Sequence, residues 1–428
     1  MIRRRKRQNA SLVAVAAALL LGTAACGGSA PSSGGQDSGS DGSAAKGDKG
    51  TLTVGLLNPA TGPFAALGED VNAGFQTYLD SKGGVLSGYG IKVVTGDTAN
   101  DEGKATIKAH QLVEQDDAQI VIGLVNSAVA YAVAPYLVKA DVPLLITVAG
   151  ADGLTREKGG DIFRVSYTSS QDTMPAGEYA CKDLGYDTAA IVALDYSFGW
   201  EAAGGFARTY EDAGCDVVQE IYAPLETQDW GPYITQIDKS VDTVYVVAPG
   251  SDGIRLLSAY RGFGGEAPIV AHGSTTDEQI LSSQAETAEG VVTSLHYTPR
   301  LDTPVNAKFV EQFSDATDRG ANQYAEDGYT AAMALEAALA DLDGEVTSGD
   351  LKEALGNVSL ETPRGPLKFD DYGQAIYNVY MRKVESTDGE WVNEPIETIP
   401  DVSQFWTYEP DAYLKFPPYD ELKGTWEN

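Results

Sequence analysis

The residue whose position most suggests chemistry is Ser127. It follows the apolar run "AQIVIGLV" and Asn126, and it opens the alanine-rich stretch "AVAYAVAPYLVKAD". A helix beginning there presents unpaired N–H groups and a partial positive charge, and a hydroxyl beside them suits an anion such as a carboxylate. The same hydroxyl in the same place would serve as a helix N-cap. On these residues alone both readings stand. Pro135, further along, removes one helical N–H, so this helix either bends or starts late.

Other groups that could do chemistry are sparse. The chain has no GxSxG, no HExxH, no P-loop, and no GxGxxG after a strand. Its three histidines, His110, His272 and His296, lie far apart and are read as structural or surface groups. A hydrolase would need a nucleophile with a positioned base, and no serine has one legible in the sequence. These absences argue against the ordinary enzyme classes and suggest no cofactor and no metal.

The elements that must position Ser127 alternate. "TLTVGLL" reads as a strand. "DVNAGFQTYLDSKGG" reads as a helix with Val71, Phe75, Tyr78 and Leu79 on one face. "IKVVTGD" is a strand, and "DEGKATIKAHQLVEQD" a helix with Ile107, Leu112 and Val113 inward. The rhythm continues through "VPLLITV" and then repeats from "DTAAIVALD" to "APIVAHG". Strands alternating with helices of this length predict parallel sheets covered on both faces. "GPLKFDDYGQAIYNVYMRKVE" predicts a hairpin around "DYGQ". The aromatic, proline-rich end has no period and is expected to drape over the body.

A length of 428 residues predicts two domains. A net charge of −32 argues against nucleic acid as a partner. "MIRRRKR", the apolar "SLVAVAAALLLG" and "TAAC" read as a lipoprotein signal over residues 1–25, with a lipid on Cys26. Thr23 stands where that motif prefers leucine. Residues 26–50 are Gly/Ser-rich with almost nothing to bury and read as a flexible tether. Export permits a disulfide between Cys181 and Cys215; the alternative is two small buried side chains.

Four stretches in order carry a resemblance. They are "GLLNPATGPFAALGEDVNAGFQTYLDSKGGVLSGYGIKVVTGD", "VIGLVNSAVAYAVAPYLVKADVPLLIT", "LDYSFGWEAAGGF" and "RGPLKFDDYGQAIYNVYMRKV". Together they resemble type I solute-binding proteins of ABC transporters, in particular the leucine/isoleucine/valine-binding family. The resemblance implies two doubly wound parallel-sheet lobes joined by a three-stranded hinge. Lobe one would be residues 51–168 plus 299–358, lobe two 169–298 plus 359–395, and 396–428 an irregular extension. It further implies a monomer, lipid-anchored outside the cytoplasm, that closes on a small carboxylate and delivers it to a membrane permease. A sensor ectodomain of the same fold is one alternative, disfavoured because no transmembrane stretch follows residue 400, and an exported α/β hydrolase is the less favoured other.

The resemblance also implies a site. Ser127 falls on the family's carboxylate-binding serine. Ala149 and Ala151, in "TVAGADG", fall on the second anion arm; Ala151 replaces a threonine and leaves only backbone contact. Phe198, flanked by Tyr196, falls on an aromatic wall, as do Tyr324 and Leu67. The glutamate that meets an amino acid's ammonium is missing, and Thr275 takes its place. Asp277 and Asp252 are the candidates to substitute, and each would serve equally as a helix cap. The ligand is therefore either an amino acid or an aromatic or other organic acid.

Overall fold

A computed structural model describes residues 45–156 and 160–419. Cys26, the signal segment and most of the tether lie outside the described residues. The first sheet holds β1 (Gly50–Asn58), β2 (Val85–Leu86), β3 (Tyr89–Asp97), β4 (Ile120–Gly123), β5 (Leu144–Ile146) and β6 (Ile162–Arg164), in the order β2-β3-β1-β4-β5-β6. All its pairings are parallel except β2 with β3. The second sheet contains β7 (Thr188–Leu194), β8 (Asp216–Ala223), β9 (Thr243–Val247), β10 (Ile269–His272) and β11 (Val292–Leu295) as a parallel set. It is extended by β12 (Ser359–Thr362), β13 (Gly365–Phe369), β14 (Ala375–Thr387) and β15 (Glu390–Val402), with β14 antiparallel to β11. These are two doubly wound α/β bodies.

The central strands are apolar throughout because both faces are covered; every residue of Ile120–Gly123 is buried. In the helix Ala65–Ser81, Val71, Phe75, Tyr78 and Leu79 are buried, the face that the spacing predicted. The next helix, Glu102–Glu114, is turned differently from the expectation. Ala105, Ala109 and Leu112 face the sheet, and Ile107 is 67% exposed. The small alanines let the helix sit close to the sheet, and the position of Ile107 between them points away from it.

The late helix Gln323–Leu339 returns to the first body and crosses Ala65–Ser81 at two glycines. A Cβ on Gly74 would lie 1.8 Å from the Ala325 carbonyl oxygen, and one on Gly328 2.0 Å from that of Val71. Only backbone fits in that crossing. It fixes the start of Gln323–Leu339, and Tyr324 with it, beside the start of Ala65–Ser81.

Two boundaries differ from the sequence reading. The composition carries the tether to residue 50, yet Lys49 donates its backbone N–H to the Gly88 carbonyl at 3.0 Å and its ammonium to the Leu342 carbonyl at 2.7 Å. The irregular extension was drawn from 396, yet β15 pairs with β14 as far as Val402. Beyond it, Phe405 and Tyr413 pack with Met174 and Tyr372, and the Phe416 ring lies 4.0 Å from the Arg208 guanidinium. Cys181 and Cys215 are disulfide-bonded, with their Cα atoms 5.9 Å apart. One ends a helix and the other immediately precedes β8, on the same side of the second body.

Candidate functional site

The carboxyl ends of the strands in both bodies face a shared cavity. This is where open parallel sheets bind ligands. The first body contributes Phe64 and Leu67 after β1, Val125, Asn126 and Ser127 after β4, Val148 and Gly150 after β5, and Tyr324. The second contributes Tyr196 and Phe198 after β7, Pro249 after β9 and Ser274 after β10. Tyr167 comes from the segment that crosses between the bodies.

Ser127 is the first residue of the helix Ser127–Lys139, and its N-cap is Asn126. The Asn126 side chain accepts the Ala128 N–H at 2.8 Å and donates to Asn100 at 2.9 Å. The cap is thus filled by the neighbour, and the buried Ser127 hydroxyl faces the cavity without that duty. The helix does not start late: it opens at Ser127, and Pro135 lies inside it.

Of the residues singled out in the sequence, Ser127, Leu67, Tyr196, Phe198 and Tyr324 line the cavity. Ala149 does not. Its N–H is bonded to the Leu124 carbonyl at 2.9 Å and its own carbonyl accepts from Arg164 at 3.0 Å, so its backbone has no group left for an anion. Ala151 is buried ahead of the turn Asp152–Thr155 and lies outside the lining; Gly150 is the residue of that loop that reaches it.

Neither candidate acid faces the cavity. Asp252 is held by the Glu226 N–H at 2.9 Å and by Arg255 at 2.8 Å. Asp277 caps the helix Glu278–Gln284 through the Gln279 N–H at 3.0 Å with Oδ1, while its Oδ2 is buried without a hydrogen-bond partner among the described residues, and Asp277 is not among the lining residues. Burial, together with the neighbouring Glu278, pushes its carboxyl up to about 8. Thr275 bonds the Ala248 N–H at 3.2 Å instead of reaching inward, and Ser274 beside it takes the lining position.

Tyr167, Ser274, Asn126 and Phe64 were not singled out in the sequence. Tyr167 lies in a crossing segment with no periodicity to mark it. Beneath it the fold brings together two of the three distant histidines, with ring centroids 5.2 Å (His272) and 5.4 Å (His296) from that of Tyr167. Burial pushes His272 down to about 3, so its ring is neutral and Nδ1 accepts the Ser274 N–H at 3.1 Å. That contact sets the position of Ser274 in the wall.

His296 is bonded to Asp172 at 2.9 Å, and Asp172 accepts from Tyr377 at 2.8 Å. His296, Glu326 and Asp327 lie close enough together to hold a metal ion. Arg364, however, already pairs with both carboxylates, at 2.7 Å from Asp327, and meets their charge. The cluster is an ion-pair network spanning the crossing segments and the hairpin, under the cavity floor.

Chemically, the cavity offers one hydroxyl at a helix N-terminus and apolar and aromatic walls; the Ser274 hydroxyl in its wall is already bonded to His272 Nδ1 at 2.8 Å. No acidic or basic side chain is among its lining residues. Burial keeps the Tyr167 and Tyr324 phenols well above their ordinary range, so they are neutral.

Comparison with known proteins agrees with this architecture. Residues 51–390 match the family model described as periplasmic binding protein, and the chain belongs to that family. It is 30% identical over 357 residues to a Leu/Ile/Val-binding protein homolog 6 of Brucella melitensis, covering 81% of this chain and 91% of that one. Among solved structures, an ABC transporter substrate-binding protein from Sphaerobacter thermophilus is 32% identical, with a TM-score of 0.79 over 83% of this chain and 99% of that one. A solute-binding protein of an ABC transporter from Rhodopseudomonas palustris, in complex with 3,4-dihydroxybenzoic acid, is 27% identical. Its TM-score is 0.78 over 83% of this chain and 98% of that one.

Proposed function

We propose that this protein captures a small aromatic carboxylate between its two bodies and delivers it to an ABC importer, held at the membrane by a lipid on Cys26. The observation that carries the solute class is the lining itself. An α-amino acid buried in this cavity would bring an ammonium, and a buried charge without a partner is strongly disfavoured. The lining residues include no acid; Asp252 is engaged by Glu226 and Arg255, and Asp277 lies outside the lining with one oxygen spent on a helix cap. A carboxylate, by contrast, meets the Ser127 hydroxyl at a helix N-terminus, and a ring meets Tyr167, Tyr196, Phe198 and Tyr324.

The family match supports solute binding, and the likeness to a protein holding a dihydroxybenzoic acid supports an aromatic acid. The discriminating experiment is calorimetric titration of the protein, stripped of any retained solute, with benzoate, 4-hydroxybenzoate and leucine. The benzoates are expected to bind and leucine to give no heat. Leucine binding with silent benzoates would reject the aromatic reading. The anchor is tested separately: Cys26→Ala is expected to release the protein from membranes, and unchanged membrane partitioning would reject it.

A further inference from the structure

Two polar contacts join the bodies on either side of the solute cavity without lining it. The first involves Glu201, in the helix Ser197–Asp212 of the second body, which is buried. Both its carboxylate oxygens lie 3.2 Å from the backbone nitrogen of Asp152 in the first body, and the Tyr131 hydroxyl approaches one of them at 3.5 Å. Tyr131 also accepts the Gly153 N–H at 3.1 Å, which fixes the receiving surface.

The second contact involves Gln279, in the helix Glu278–Gln284 of the second body. Its amide donates to the carboxylate of Asp70 and, at 3.4 Å, to the Ala66 carbonyl, both in Ala65–Ser81 of the first body. Asp70 is held ready by Asn322 at 2.6 Å and by Arg319, both from its own body.

We propose that Glu201 and Gln279 are the two closure latches of this clamp, positioning residues that set how tightly and how long it holds solute without touching the solute. Each reaches from the second body to polar groups already organised on the first. Any opening that lets solute into the cavity separates both pairs, and closing remakes them. A contact made only in the closed state lowers the release rate. The inference rests on the clamp reading above but not on the identity of the solute.

The test therefore has one arm with no solute. Hydrogen–deuterium exchange is followed in the peptide that contains the Asp152 N–H, the donor to Glu201. Glu201→Ala should speed it about threefold to tenfold, the range for loss of one net hydrogen bond. Gln279→Ala, on the opposite side of the cavity, should speed the same amide, because both latches serve one motion. Glu201→Gln, which keeps one acceptor oxygen, should recover part of the protection. In the second arm, 4-hydroxybenzoate release should be about threefold to tenfold faster in each alanine variant.

Exchange at Asp152 indifferent to Gln279→Ala would overturn the latches, as would unchanged release of a solute that binds. Failure of 4-hydroxybenzoate to bind, with the exchange coupling intact, would leave the latches standing and reject the solute assignment instead.

Discussion

Replacing Ser127 by alanine separates a ligand group from a structural one more cleanly here than at most helix starts. The usual confusion is that a serine at this place caps the helix, so its loss lowers stability and binding together. In this protein Asn126 accepts the Ala128 N–H at 2.8 Å and does the capping. Ser127→Ala should therefore leave the cap intact and remove one buried hydroxyl facing the cavity. If that hydroxyl donates to a carboxylate, its loss should cost about 1.5–3 kcal/mol of binding, roughly tenfold to a hundredfold in affinity. Folding should change by less than about 1 kcal/mol, a melting shift of no more than ~2–4 °C in a chain of this size. The assay is calorimetric titration with the bound aromatic acid, run beside thermal melts of the empty protein. Asn126→Ala is the control and should lower the melting temperature through loss of the cap, by about 1 kcal/mol. Unchanged affinity in Ser127→Ala, whatever its melting temperature, would refute the argument and move the anion elsewhere in the cavity.

Three further outcomes follow from the packing and the charges. Replacing both Cys181 and Cys215 by serine opens a loop with a sequence separation of 34 and should cost about 3–4 kcal/mol, read from denaturant midpoints; an unchanged midpoint would contradict it. Gly328→Ala puts a Cβ 2.0 Å from the Val71 carbonyl oxygen and should destabilise by about 1–3 kcal/mol or more, while weakening solute binding through displaced Tyr324; a neutral variant would show that the crossing has slack. His272 titrates near 6.5 when unfolded and about 3 when folded, so between these values the unfolded chain holds the extra proton and acidification destabilises the fold. The His272 contribution to the slope should reach about 1.4 kcal/mol per pH unit. His296, whose pKa is raised against burial and Arg364 by Asp327 and Asp172, acts above pH 6.5 and so does not supply that slope. The buried carboxyls of Asp277, pushed up to about 8, and of Glu201 and Glu326, also raised, hold protons in the fold and oppose this slope, so the readout is the difference between variants. His272→Gln should change the slope of melts between pH 5 and 6.5 by about 1.4 kcal/mol per unit relative to the parent, and an unchanged slope would refute the assignment.

What the sequence made legible was whatever depends on one element meeting its own sheet. The alternation of strands and helices fixed two doubly wound bodies, and the apolar spacing in Ala65–Ser81 picked out its buried face. The same reasoning failed at Ile107 because it followed the largest apolar side chain, whereas Ala105 and Ala109 are what permit close approach. The cavity depends on two bodies meeting each other, and no periodicity reports that. Tyr167 lies in a crossing segment, and Glu201 and Gln279 sit on helix faces whose partners are distant in the chain. Asp277 and Ser127 show the difficulty most directly, since a helix cap and a ligand group call for the same kinds of side chain at the same place. Asp277 is used as a cap. Ser127 is not, because Asn126 precedes it and reaches the Ala128 N–H first. A pair of capping residues at one helix start leaves one of them to spare, and at the end of β4 the spare hydroxyl faces the cavity.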